Sequence, residues 1–309
     1  MLVIVIVGLS LISVPVAAQA VGTWTPTTSY PTTIWFQSCV VSGGYVYCVG
    51  GFPQSTGGGT SAVYFVGTTS SGVGDWASTT AYPTSIARQS CVVSGGYVYC
   101  VGGTAGRAVY FASLSPSGVG TWAATKSYPI GTGAGACVAS GGYVYCIGGY
   151  KGSVTSGAVY YAKLASSGVG KWKSTKSYRL TIQEQSCVVS GGYVYCVGGY
   201  TGKEDTSAVY YAALSSTGVG AWKSTTSYPT PALPSCVVIN GYVYCVGGTA
   251  PSSNAVYYAS LSSSGVGTWT VTTSYPIIVG YQSCVVVLLT VYCVGGGLPV
   301  TSAVYYASV

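Results

Sequence analysis

The chain predicts an all-β ring of six four-stranded blades, a β-propeller, from three observations. A hairpin phrase, first written SCVVSGGYVYCVGG at 38–51, recurs six times and holds all twelve cysteines. A tryptophan recurs at Trp24, Trp76, Trp122, Trp172, Trp222 and Trp269, at intervals of 46 to 52 residues. No stretch between them carries a helical apolar period. A repeat near 50 residues with four short strands is the signature of a propeller blade.

The hairpin comes first. Valine, tyrosine and cysteine flank Gly43-Gly44, and β-branched and aromatic residues around a two-residue glycine turn read as two antiparallel strands. Copy five carries Asn240-Gly241 at the same place, which supports the same register. Counting outward from the turn pairs Ser42 with Tyr45 and Cys39 with Cys48. The cysteines then fall at a non-hydrogen-bonded pair, where Cα atoms approach closely enough for a bridge. Six cross-strand disulfides are expected: Cys39–Cys48, Cys91–Cys100, Cys137–Cys146, Cys187–Cys196, Cys236–Cys245 and Cys284–Cys293. Metal binding is the rival use of cysteine, but the chain has no CxxC pair and no histidine, so zinc-type ligand spacing is absent. No metal or other cofactor is expected.

A variable loop follows each Gly-Gly. The third strands are expected at 62–65, 108–111, 158–161, 208–211, 255–258 and 303–306. A Ser/Gly turn leads into the tryptophan and a W-x-x-T-x-x-Y stretch, the outer strand. The order of apolar strand, glycine doublet, tyrosine strand and tryptophan resembles the kelch repeat over residues 21–309. The resemblance implies a six-bladed kelch-like propeller. The cysteine bridges and the scarcity of charge depart from that family, so its intracellular partner-binding roles do not transfer. The chain opens with a lone outer strand near Trp24 and ends on three strands without one. Joining the two completes blade six from both termini and leaves no long sheet edge unpaired. Blade six is also the least regular, with Leu288-Leu289 in place of the glycine turn. Local packing or a subunit contact are the two readings of those leucines. The thirty tyrosines recur mostly at fixed positions and read as packing between blades.

Charged residues make up 5% of the chain, and the acids are only Asp75, Glu184, Glu204 and Asp205. The net charge of +7 reflects missing acids more than clustered bases, so a phosphate-neutralising nucleic-acid surface is not expected. A surface with little to titrate suits an acidic habitat. Paired cysteines in every repeat argue for an oxidising, extracellular or cell-surface setting. Residues 2–12 are strongly apolar and Ala18-Gln19-Ala20 fits an A-x-A cleavage pattern. Residues 1–20 therefore resemble a secretory signal peptide, although no basic residue precedes the run. Retained, the segment reads as a membrane anchor, marginal for a single span with Pro15 inside it. It reads equally as an assembly element packed against a neighbouring propeller, in the manner of type IV pilin-like filaments or donor-strand polymers. No N-linked glycosylation sequon occurs.

The chemistry-bearing residues are few. Copper sites of galactose oxidase type need histidine. A sialidase-like arginine triad would have to come from Arg88, Arg107 and Arg179, which sit at unlike repeat positions. Glycoside hydrolysis needs two carboxylates across a bond. Glu184 and Glu204-Asp205 lie in loops expected on one face, at a separation the sequence leaves open. No nucleophile–base set is visible, and no enzyme is expected. The candidate binding surface is the loop before each first cysteine, which leads into the innermost strand and should crowd round the central channel. Three positions before the cysteine stand Phe36, Arg88, Ala134, Glu184, Leu233 and Tyr281; two before it stand Gln37, Gln89, Gly135, Gln185, Pro234 and Gln282; and Trp35 adds an aromatic. Trp35, Phe36, Gln37, Arg88, Gln89, Glu184, Gln185, Tyr281 and Gln282 form a surface suited to sugar rings. The plainer reading is loop drift, with glutamine satisfying backbone. The functional expectation is a non-enzymatic extracellular structural protein, a filament or pilus-like subunit that self-associates through residues 1–20. The alternative is a secreted or tethered propeller binding glycan or protein through the channel-face loops.

Overall fold

The computed structural model describes residues 20–54, 57–131, 133, 135–152, 154–249 and 252–309. The expectations placed on residues 1–19 lie outside them. Six antiparallel sheets form the six blades, each with four main strands; in five of them a two-residue strand, Gly72–Val73 in the first, adds to the four. In blade one the strands run, from the channel outward, Ser38–Ser42, Tyr45–Val49, Val63–Thr69 and Ala77–Ser78. Among the described residues the helical content is one 3-10 turn, Gly103–Ala105, and no helix is long and apolar enough to cross a membrane.

The hairpin register is the one the turn demands. Ser42 faces Tyr45, Val40 faces Tyr47 and Cys39 faces Cys48. Gly43 and Gly44 take φ of 58° and 80°, the left-handed region glycine enters without a Cβ penalty. All six disulfides form, with Cα atoms 4.0 to 4.1 Å apart. Such a full set belongs to an oxidising environment.

Blade six closes as expected. The N-terminal strand Thr25–Thr27 pairs with Val304–Ser308 of the C-terminal hairpin, Thr25 opposite Tyr306. The closure continues outward, where the Val21 N–H donates to Thr272 Oγ1 at 2.9 Å and the Gly22 N–H to the Ser308 carbonyl at 2.8 Å.

The blades are held by a seam that repeats around the ring. Each tryptophan packs edge-on against the tyrosine of the preceding repeat, with ring centroids 4.8 to 5.0 Å apart, from Tyr30–Trp76 round to Trp24–Tyr275. Its indole N–H also donates to a backbone carbonyl of that repeat, as from Trp122 to Thr80 at 3.1 Å. Beside it, Thr79 Oγ1 accepts from the Val119 N–H at 2.8 Å. Nearer the axis, the Tyr99 hydroxyl reaches across to the Ala165 carbonyl at 2.8 Å. Closest to the channel, the serine before one cysteine accepts the N–H of the next blade's cysteine, as Ser38 does from Cys91 at 3.0 Å. Five junctions carry this serine bond. At the sixth, between blades three and four, Ala136 has no hydroxyl to offer Cys187. The tyrosines are therefore blade-packing residues, and the glycine doublet exists because Gly50, at φ 60°, lies against the Ile86 backbone of the next blade, where a Cβ would clash.

Candidate functional site

All innermost strands run in the same direction, so the loops that precede them meet at one mouth of the channel. This mouth encloses a cavity of about 230 Å³ lined by Phe36, Arg88, Glu184, Leu233 and Tyr281, with the glutamines and serines of the same loops below them. Position 134, the third copy's counterpart, lies outside the described residues.

The backbone that presents these side chains is unusual. Phe36, Arg88, Glu184 and Tyr281 have φ between 54° and 59°, a left-handed conformation that costs a non-glycine residue about 1–3 kcal/mol. It is held by hydrogen bonds that step round the mouth. The Phe36 N–H donates to the Tyr281 carbonyl and the Arg88 N–H to the Phe36 carbonyl, each at 3.1 Å. Copy five breaks the series, because Pro234 follows Leu233 and keeps it out of that region.

The side chains so presented form two patches. Phe36 and Tyr281 lie with ring centroids 4.2 Å apart. Trp35 packs within 5.3 Å of Phe36 and 5.8 Å of Tyr281. All three rings are half-exposed. Phe52 completes the cluster, 6.1 Å from Trp35 and 6.2 Å from Phe36. Sequence reasoning left Phe52 out. Its signal was the aromatic that follows the glycine doublet, repeated as Tyr150 and Tyr200. The second patch is polar. Arg88 Nη1 donates to Glu184 Oε1 at 2.9 Å, the one ion pair among the described residues, and the guanidinium lies 4.2 Å over the Phe36 ring. Arginine thus joins the two patches, stacked on one and paired with the other.

Burial raises the Glu184 carboxyl above the usual carboxylate range; Arg88 pulls it back down and the charge of Asp205 pushes it further up. Asp205 is itself raised by burial. The expected shared face of these two loops is borne out: Tyr200 exchanges backbone hydrogen bonds with Gln183 at 2.8 and 3.0 Å and forms a bridge with Asp205. Burial, then Glu184, also lifts the Tyr281 phenol.

The four glutamines occupy the wall of the mouth but are only 5% to 7% exposed. Each donates its amide N–H to a carbonyl of the preceding blade: Gln37 to Val294 at 2.7 Å, Gln89 to Val49 at 2.6 Å, and Gln185 to Ile147 and Gln282 to Val246 at 2.8 Å. They hold blades together, and the surface open to a ligand narrows to Trp35, Phe36, Phe52, Arg88, Glu184 and Tyr281. Among the described residues no group of histidine, cysteine or acidic side chains is arranged to hold a metal ion.

No protein-family model matches the chain, and no curated protein does. A solved structure titled "Structure of YjhT" superposes with a TM-score of 0.71 at 13% identity, covering 89% of this chain and 94% of that one. At that identity the likeness concerns the fold.

Proposed function

We propose that the chain is a non-enzymatic, extracellular recognition propeller of kelch-like type that binds a carbohydrate end group at the channel mouth. The observation that carries this reading is the aromatic cluster of Trp35, Phe36, Phe52 and Tyr281 beside the Arg88–Glu184 pair, in a chain otherwise almost without charge. Aromatic faces receive the apolar side of a sugar ring, while a carboxylate and a guanidinium take its hydroxyls. Left-handed backbone kept at four non-glycine positions fits a site whose strain serves presentation. The cavity of about 230 Å³ is below the ~300–1,000 Å³ of ordinary ligand sites, so a terminal residue is the expected ligand. Glu184 is occupied by Arg88, and no histidine exists to activate a serine, which supports binding over catalysis. A glycan array followed by calorimetry tests it. Trp35→Ala and Arg88→Ala should each weaken the best ligand at least ~10-fold. Affinity unchanged from that of the unaltered protein in both variants would sink the assignment of the site.

A second reading is a subunit of a surface filament or adhesive appendage. It is favoured by the apolar run at 2–12 and by Leu288, 90% exposed at a hairpin tip. Electron microscopy of the native protein decides it: regular polymers support it, and dispersed rings refute it.

A further inference from the structure

Away from the mouth the channel turns aliphatic, lined at its far end by valines of the innermost strands. The outer edge of the ring carries a different chemistry. Of the eleven basic residues in the chain, six lie on the outer edge of blades two to four: Lys126, Lys163, Lys171, Lys173, Lys176 and Lys223. All six are exposed. The fold joins them into one strip. The Trp172 N–H donates to the Lys126 carbonyl at 3.0 Å, which sets Lys126 across the seam from Lys171 and Lys173. The Trp222 N–H donates to the Lys176 carbonyl at 3.1 Å, which sets Lys176 beside Lys223. The Lys163 carbonyl accepts from the Gly170 N–H at 2.9 Å, next to Lys171.

The strip is neither compensated nor demanded by the fold. The outer edges of blades five, six and one hold no base and a single acid, Asp75. The one ion pair among the described residues is Arg88–Glu184, so none of these lysines is paired. The other repeats serve as the control. Where blade three has Lys171, Lys173 and Lys176, blade six has Thr23, Thr25 and Thr28, and where it has Lys163, blade six has Ser308. Both blades build the same tryptophan–tyrosine seam, with centroids 4.9 Å apart in each. Packing is thus satisfied without the charges. Like charges gathered on one edge repel one another, and an anionic partner removes that cost.

We infer that the outer edge of blades two to four binds an acidic polysaccharide. Lysine is a point charge on a flexible stem, suited to carboxylates or sulfates spaced along a polymer rather than to one fixed geometry. Exposed Ser174 and Ser177 stand between the lysines as partners for sugar hydroxyls, and the half-exposed Trp172 indole offers a face to a sugar ring. A membrane-binding surface adds apolar side chains that enter the lipid, whereas serine and threonine separate these bases. The six disulfides argue for a setting outside the reducing cytosol, which favours a surface polysaccharide over nucleic acid. This surface is separate from the sugar site at the mouth, and neither assignment depends on the other.

The test measures binding of dextran sulfate, a polysulfate, and alginate, a polycarboxylate, to the full chain by calorimetry, with uncharged dextran beside them. At least one acidic polymer should bind and dextran should not. Affinity should fall at least ~10-fold between ~50 and ~200 mM salt. Lys163→Ser, Lys171→Thr, Lys173→Thr and Lys176→Thr together give blade three the residues of blade six. They should weaken binding at least ~10-fold in a ring whose circular dichroism is unchanged. Thr23→Glu, Thr25→Glu, Thr28→Glu and Ser308→Glu remove the same net charge on the opposite blade. They should change affinity less than ~2-fold, because charges beyond a Debye length of ~10 Å are largely screened. An equal loss in both variants would reduce the attraction to net charge and overturn the site. Failure of both acidic polymers to bind the unaltered chain overturns it too, as does tighter binding of phosphatidylglycerol vesicles or of polydeoxythymidylate.

Discussion

The seams between blades and the channel mouth are built from the same repeat and treat it oppositely. At the seams the backbone repeats and so does the chemistry: six tryptophans meet six tyrosines within a 0.2 Å range of centroid distances, 4.8 to 5.0 Å. At the mouth the left-handed backbone repeats at four positions while the side chains are phenylalanine, arginine, glutamate and tyrosine. A seam must be satisfied six times for the ring to close, so one solution is copied. The mouth asks only that a loop arrive there, and side chains are free to differ once a quiet scaffold holds them.

The comparison breaks most visibly in alkali. Burial pushes the seam tyrosines Tyr30, Tyr82, Tyr128, Tyr178, Tyr228 and Tyr275 well above the ordinary phenol value. A group raised in the folded state stabilises fully below its unfolded pKa, and that contribution is lost as pH climbs toward the folded value. Above pH ~10 each such tyrosine withdraws about 1.4 kcal/mol per pH unit, so six together withdraw about 8. Cooperative unfolding between pH ~10 and ~12, followed by far-ultraviolet circular dichroism, is expected; a ring intact at pH 12 would mean the seams are wetter than they look.

A single seam comes next. Trp122, 9% exposed, loses its edge contact and its hydrogen bond in Trp122→Ala, at a cost of about 3–5 kcal/mol in denaturant melts. Arg88→Ala at the mouth should cost only about 1–2 kcal/mol. Arg88 is 30% exposed, and a paired charge in partial contact with water loses less than a fully buried one. If the two variants cost the same, the division into seam and mouth fails.

Acid acts on the mouth with the opposite sign to the usual carboxylate. Glu184 and Asp205 are both raised, so the folded chain takes up their protons more readily than the unfolded chain. Their contribution is present below the unfolded values near pH ~4 and is lost as pH rises through the folded ones. Melting temperatures should hold or rise slightly from pH 7 to 3. A steep acid loss would count against both these assignments and the acidic-habitat reading.

The smallest effect is a repair. Ala136→Ser restores the one missing serine bond, to the Cys187 N–H, and should add about 0.5–1.5 kcal/mol, read as a small rise in the denaturant midpoint.

Much of this is legible in the amino-acid sequence. Strand pairing next to a two-residue turn is local, so counting from Gly43-Gly44 reached Cys39–Cys48, and counting repeats reached the closure of blade six. The pairing of each tryptophan with the preceding repeat's tyrosine was not legible, because both residues recur in every copy and spacing alone does not say which two meet. Nor was the fate of the glutamines. Four amides in a divergent loop read equally well as ligand contacts or as struts, and the distance to a carbonyl on the neighbouring blade decides between them.

The amino-acid sequence by itself determined the hairpin, its bridge, the number of blades and the way the ring shuts, since each follows from short-range periodicity and copy number. Only the tertiary structure decided that Arg88 finds Glu184, 96 residues away, that Phe52 joins Trp35, and that the channel is polar and aromatic at one end and aliphatic at the other. Those pairings depend on the radius at which six blades close and on the direction in which each left-handed loop throws its side chain. Neither quantity is written in any single repeat.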